Sequence, residues 1–284
     1  MLWLMEAQAL REFIQAHQRL FVLTGAGCST ASGIPDYRDT EGGWKRTARP
    51  VTLQAFMGEE STRRRYWARS VVGWRHLAGT RPNAAHHALT RLQRQGRIEL
   101  LLTQNVDGLH QAAGSTGVID LHGRLDRVRC MECEYRCPRD ELQTELLRHN
   151  PGWDARDARE APDGDADLSG PALMNFNLVS CARCGGMLKP DVVFFGEGVP
   201  AERVEDAMRH LRRADAMLVV GSSLMVYSGY RFVRAAAQLG LPIAAVNLGR
   251  TRADELLSLK LSQPCAAALA FLLEPEPQPE RAWA

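Results

Sequence analysis

Two cysteine pairs, Cys130-Met-Glu-Cys133 and Cys181-Ala-Arg-Cys184, stand at metal-ligand spacing. Four thiolates from two such pairs complete the tetrahedral shell of one zinc ion, and a shell filled by protein leaves no position for substrate. The expected zinc is therefore structural, and its removal should damage folding before chemistry. The 47 residues between the pairs exceed the usual zinc-ribbon interval, and Cys137 is a competing ligand with no paired partner. The remaining chemistry-bearing residues cluster just after short apolar runs. They are Gly25-Ala26-Gly27-Cys28-Ser29, Gln104-Asn105-Val106-Asp107, Asp120-Leu121-His122, Gly221-Ser222-Ser223 and Asn247-Leu248-Gly249.

Each cluster suits one task in holding or cleaving a dinucleotide, and each has a plainer use. Glycines after a strand let backbone N–H groups approach a pyrophosphate, although they also make simple tight turns. The third glycine of a hydride-carrying GxGxxG loop is missing, since Thr30 stands there, and no acidic residue closes a second strand about 20 residues on. Gly33-Ile34-Pro35-Asp36-Tyr37-Arg38 reads as a rigid polar loop beside the phosphates, or as a surface loop with an Asp–Arg pair. Gln104, Asn105 and Asp107 suit hydrogen bonds to a ribose or a carboxamide, and equally suit capping of the next helix. His122, with an ordinary value near 6.5, is a general-base candidate at a strand end. Ser222, Ser223 and Asn247 fit ribose and adenine, while the serines also fit helix caps.

These residues need a sheet whose strand ends converge. Leu20–Leu23, Ile98–Thr103, Gly117–Leu121, Ala216–Val220 and Ile243–Val246 read as buried strands. Helical patterns at 6–19, 82–95, 201–213 and 230–239 alternate with them, which implies a parallel sheet covered on both faces. The expected fold is α/β, Rossmann-like, with an inserted smaller zinc module. Its dinucleotide-binding part comprises 1–44, 81–123 and 190–274. A helical insertion rich in aromatics and arginine spans 45–80, the zinc module 124–189, and a disordered proline-rich tail 275–284.

The composition sets further bounds. The net charge is +2, and Lys45, Lys189 and Lys260 are the only lysines, so no strongly basic face for nucleic acid is forced. The apolar start Met1–Met5 ends at Glu6 without a basic segment or cleavage site, and no apolar run is long enough to span a bilayer. Paired CxxC motifs fit a reducing compartment. The expectation is a soluble cytoplasmic protein with no nucleic-acid or membrane partner.

In this order, the motifs closely resemble the sirtuins: GAGxSxxSGIPDYR at 25–38, TQNVDGLH at 103–110, LHG at 121–123, the two CxxC knuckles, KPDVVFFGE at 189–197, GSSLxV at 221–226 and VNLG at 246–249. The likeness spans roughly 10–270. Arg65-Tyr66-Trp67-Ala68-Arg69, Ala161-Pro-Asp-Gly-Asp165 and Val226-Tyr-Ser-Gly-Tyr-Arg-Phe232 are most similar to the class II branch that includes the sirtuin-4 group. The resemblance implies an NAD-consuming protein-lysine deacylase that yields nicotinamide, free lysine and O-acyl-ADP-ribose. It makes His122 the base, Asn105 and Asp107 the residues orienting the carboxamide, and Gln104 a ribose contact. It places Gly25, Ala26, Gly27, Ser29, Pro35, Asp36, Tyr37, Arg38, Gly221, Ser222, Ser223, Asn247, Leu248, Gly249 and Cys265 around NAD. Val193 and Phe194 would line the acyl-lysine tunnel, with the substrate bound as an extended peptide. Tyr66 and Arg69 have the spacing with which acidic-acyl sirtuins clamp a carboxylate; the other reading of Arg69 is a solvated helix face. Cys28 stands where many sirtuins carry an apolar residue, and it reads as a buried thiol. ADP-ribosyl transfer to protein and NAD sensing without turnover are the alternatives, both contending for the same residues.

Overall fold

Apolar runs with no alternation need burial on both faces, and strand β1 (Leu20–Thr24) obtains it: all five residues are buried. Leu20 and Val22 pack with Leu10, Ile14, Leu89 and Leu92, while Phe21 and Leu23 pack on the opposite face with Leu211, Phe232 and Val233. The computed structural model describes residues 2–45, 50–153 and 155–274. The tail expected at 275–284 lies outside the described residues.

Helix α1 (Leu2–Ala16) precedes β1. Helices α2 (Leu53–Gly58), α3 (Glu60–Gly79) and α4 (Ala84–Arg94) then lead to β2 (Ile98–Thr103), α5 (Leu109–Ala112) and β3 (Ile119–Asp120). A middle segment holds β4 (Gly123–Cys130), β5 (Arg136–Pro138), α6 (Arg139–His149), β6 (Glu160–Ala161), β7 (Asp165–Ala166) and β8 (Leu188–Val192). The chain closes with α7 (Ala201–Leu211), β9 (Ala216–Val220), α8 (Tyr227–Gln238), β10 (Ile243–Val246), β11 (Leu259–Leu261) and α9 (Cys265–Ala268).

The main sheet has six parallel strands in the order β11-β10-β9-β1-β2-β3. Strand order climbs outward on both sides of the β1–β9 pair, so that pair is the switch point at which an open α/β sheet leaves a crevice for a ligand. Strands β5, β4 and β8 form a separate antiparallel sheet. Its core joins α3 through Trp67, Val71 and Trp74 and α6 through Leu142 and Leu146. The division expected between 189 and 190 falls inside β8, because this strand pairs with β4.

Other expected elements differ in extent. The strand expected over 117–121 shrinks to Ile119–Asp120, which pairs with β2 and, among the described residues, forms the edge of the sheet. The helix expected from 230 begins at Tyr227, and β11 is too short to show a periodic pattern. Within the segment expected as the zinc module, β6 and β7 form a hairpin packed on α3. Gly73 makes that contact possible, since a Cβ there would lie 2.2 Å from the Gly164 carbonyl oxygen. Among the described residues no helix is long and apolar enough to cross a membrane.

Candidate active site

The loops after β1 and β9 meet directly at the switch point. Gly25 N–H donates to Val220 O at 3.0 Å and Gly27 N–H to Gly221 O at 2.8 Å. A Cβ on Gly25 would lie 2.8 Å from Gly221 O, and one on Gly221 would lie 2.2 Å from Cys28 N. Gly221 also has φ +65°, a region costly for other residues. These glycines thus serve contact between the two loops as well as any approach to phosphate.

A cavity of about 470 Å³ opens above this junction, a size typical of ligand sites. Gly25, Ala26, Gly27, Asp36, Tyr37, Arg38, Gln104, Asn105, Gly221, Ser222, Ser223, Asn247 and Leu248 line it, together with His122, Tyr66, Arg69, Val193 and Phe194. Ser29, Pro35, Asp107, Gly249 and Cys265 stand outside this lining. Gly249 packs on the 39–43 turn, where a Cβ would lie 2.3 Å from Thr40 O. Cys265 is buried beneath β10, its Sγ 3.9 Å from Val246 O.

Ser29 and Asp107 form the layer behind Asn105. Asn105 Nδ2 donates to Gly25 O at 3.1 Å and to Ser29 Oγ at 3.0 Å, and Ser29 Oγ donates to Asp107 Oδ2 at 2.7 Å. The Leu109 N–H donates to Asp107 Oδ1 at 2.9 Å. Burial raises the Asp107 carboxyl, against these two donors and Arg124, which lower it. Gln104 Nε2 donates to Ser222 Oγ at 2.7 Å and Thr24 O at 3.2 Å, tying the ends of β1, β2 and β9 together.

Beneath lies a cluster of Cys28, His86 and His110, all buried, with ligand-capable atoms within 4.8 Å of one another. Burial pushes the Cys28 thiol well up, His86 down to about 4 and His110 well down. All three are therefore uncharged at neutral pH, so this is a packed polar floor and no thiolate–imidazolium pair. His86 Nδ1 accepts the Asn83 N–H at 3.2 Å, and His110 Nε2 lies 2.9 Å from Thr24 Oγ1.

His122 follows β3 and is fixed at both nitrogens. Nδ1 is 2.8 Å from Gln104 O and Nε2 is 2.7 Å from Ser228 Oγ. Burial pushes its imidazole down to about 4; the Gln104 carbonyl opposes this, and Arg203 and Arg231 reinforce it by like charge. The ring is thus neutral at pH 7. Ser228 and Arg231, in the first turns of α8, also line the cavity, and sequence reasoning missed both. Their placement just after a strand-end loop of the sheet is the signal that would have found them.

The opposite side of the cavity is apolar. Phe56, Tyr66 and Phe194 pack edge to face with centroids 5.2–5.4 Å apart. Val193 N–H donates to His122 O at 2.7 Å, so this wall is hung from the His122 backbone. Arg69 Nε donates to Ala166 O at 2.9 Å, and its Nη2 pairs with the Asp165 carboxylate. Its charge is matched within the chain, neither a solvated helix face nor an unengaged clamp. Tyr37 OH donates to the Asp163 carboxylate, which closes the β6–β7 turn over the same side. The Arg38 guanidinium stacks 3.8 Å over the Trp44 ring.

The four cysteines converge beyond β4. Cys130 Sγ and Cys184 Sγ are 3.5 Å apart, and Cys133 Sγ and Cys181 Sγ 3.8 Å. Zinc–sulfur bonds of about 2.3 Å in a tetrahedron put sulfurs about 3.8 Å apart, so the cluster fits a structural zinc. Cys137 lies outside this group of four.

The Sir2 family profile matches residues 25–228. An NAD-dependent protein deacetylase of Xanthomonas campestris pv. campestris (strain 8004) is 70% identical over 267 residues, covering 94% of this chain and 91% of its own. A structure described as the basis for the mechanism and regulation of Sir2 enzymes superposes with a TM-score of 0.74 at 28% identity, covering 94% and 96% of the two chains. A Sir2–p53 peptide–NAD+ structure superposes with a TM-score of 0.73 at 27% identity, covering 93% and 96%. Because the profile spans most of the chain and the relative nearly all of it, this protein belongs to the Sir2 family, the sirtuins.

Proposed function

We propose that this chain is an NAD-dependent protein-lysine deacylase of the class II, sirtuin-4-like branch. The carrying observation is one cavity shared by the β1–β9 switch-point loops, a neutral His122 base and the Tyr66–Val193–Phe194 wall. The identity with named deacetylases and the likeness to a peptide–NAD+ complex support the same reading.

In this reading NAD is a co-substrate. Its pyrophosphate lies against Gly25, Ala26 and Gly27, with the adenosine end towards Ser222, Ser223, Asn247 and Leu248. Asn105, braced by Ser29 and Asp107, orients the carboxamide, and the acyl-lysine enters past Val193 and Phe194. The acyl oxygen attacks the anomeric carbon as nicotinamide leaves. His122 then serves as the base for a ribose hydroxyl, whose oxygen attacks the imidate carbon; the lysine amine departs protonated, and one water adds to the remaining acyl carbon to give O-acyl-ADP-ribose. Gln104 holds the ribose, and Cys130, Cys133, Cys181 and Cys184 hold zinc as a structural brace. The protein substrate lies extended along the cleft, and the site of action is the cytoplasm. The chain divides into a dinucleotide-binding part, a helical insertion and a zinc-holding part.

Incubation with NAD and a panel of acetyl-, succinyl-, long-chain- and lipoyl-lysine peptides tests this. Nicotinamide should appear stoichiometrically with free lysine, and His122→Ala should abolish deacylation. Turnover without NAD would end the reading. Label from NAD appearing on protein as fast as any deacylation would replace it with ADP-ribosyl transfer.

A further inference from the structure

We propose that Ser228 is a proton relay between the ribose and His122, accepting a ribose hydroxyl proton while passing its own to Nε2. This rests on the deacylase reading above. The Gln104 carbonyl has no hydrogen to give, so His122 Nδ1, 2.8 Å away, carries the ring proton. Nε2 is then the lone pair, and Ser228 Oγ at 2.7 Å meets it as the donor. The serine oxygen keeps two acceptor positions, and both side chains line the cavity.

The base therefore reaches the cavity with its lone pair already engaged. Ser228 is the second residue of α8, after Tyr227, and the helix holds its backbone in place. A hydroxyl arriving at this corner meets Oγ, whose free lone pairs accept it. One proton then moves from the ribose oxygen to Oγ and another from Oγ to Nε2. Ser228 ends as the hydroxyl it began, His122 becomes an imidazolium, and the ribose oxygen keeps the electron pair that attacks the imidate carbon. The imidazolium, disfavoured by burial and by Arg203 and Arg231, is a strong acid towards the departing amine.

The relay acts after nicotinamide has left, which separates it from a merely structural role. Radiolabelled nicotinamide exchange reports the reversible cleavage, and single-turnover deacylation reports the step that needs the base. Ser228→Ala should slow exchange no more than about twofold but deacylation about tenfold or more, at the low end of proton-transfer contributions. Ser228→Thr, which keeps the hydroxyl, should recover deacylation to within about threefold of the parent. In mixtures of light and heavy water the parent rate should curve as for two protons in flight, and the alanine variant should give a line. Deacylation by Ser228→Ala at the parent rate would overturn the relay, as would equal losses in exchange and deacylation. A parent enzyme with no exchange at all would instead refute the deacylase reading, and the relay with it.

Discussion

Lys189 and Glu197 form a buried ion pair whose loss should be expensive. Lys189 is 1% exposed and Glu197 18%, with Nζ and Oε2 3.0 Å apart. Glu197 Oε2 also accepts the Phe194 N–H at 2.8 Å, so one carboxylate closes the turn that carries the apolar wall of the cavity. Glu197→Ala would leave the ammonium with only the Pro190 and Val192 carbonyls as hydrogen-bond acceptors. Removing one partner of a buried pair costs about 3–5 kcal/mol, and the two remaining carbonyls argue for ~3. At ~2–4 °C per kcal/mol for a chain of this size, the melting temperature should fall by about 6–12 °C. Lys189→Met/Glu197→Gln removes both charges while keeping an acceptor for Phe194 N–H, and should recover at least about half of that loss. Thermal melts of the parent, Glu197→Ala, the single variants Lys189→Met and Glu197→Gln, and the double variant measure this, with peptide KM as a second readout that should rise for Glu197→Ala. A shift under ~2 °C for Glu197→Ala, or a double variant as unstable as the summed singles, would refute a buried, coupled pair.

Three further outcomes follow from the site. Because burial holds His122 down to about 4, its imidazole is neutral above about pH 5; with His122 as the proposed base, single-turnover deacylation should stay flat from pH 8 to about 5.5 and fall only as pH drops towards 4. An acid limb with its midpoint near 6.5, the ordinary imidazole value, would contradict this environment. Arg69→Ala should reduce succinyl-lysine turnover more than acetyl-lysine turnover, and Asp165→Asn, which frees the guanidinium from its internal partner, should raise succinyl turnover; equal changes for both acyl groups would sink the clamp. Removing zinc with a strong chelator should release one ion per chain and disturb tryptophan fluorescence, since Trp67, Trp74 and Trp153 share a core with Cys130 and Cys181. Unchanged fluorescence and full activity in zinc-free protein would contradict a structural metal.

Much of this was legible in the amino-acid order because the interactions are local. The runs at 98–103, 216–220 and 243–246 have the bounds read from their apolar pattern, since strands buried on both faces need no partner to reveal them. The CxxC pairs state their own ligand chemistry. What escaped was set by partners distant in sequence. The partner of Arg69 is Asp165, 96 positions away, and the hydrogen bond of Ser228 to His122 spans 106 positions. Strand β11 acquires its identity from pairing with β10 rather than from its three residues.

The glycines show the division most clearly. A strand followed by Gly25-Ala26-Gly27 already marked a place where backbone must come close to something. Only the packed structure decided that Gly221 is among the things it comes close to, because two loops from opposite halves of the sheet meet where the strand order reverses. Residue type determined which groups could bind, ionise or ligate. Burial and long-range contact determined which of them face the cavity, which are already paired, and how His122 holds its proton, because desolvation and hydrogen bonding depend on neighbours that the chain brings together only on folding.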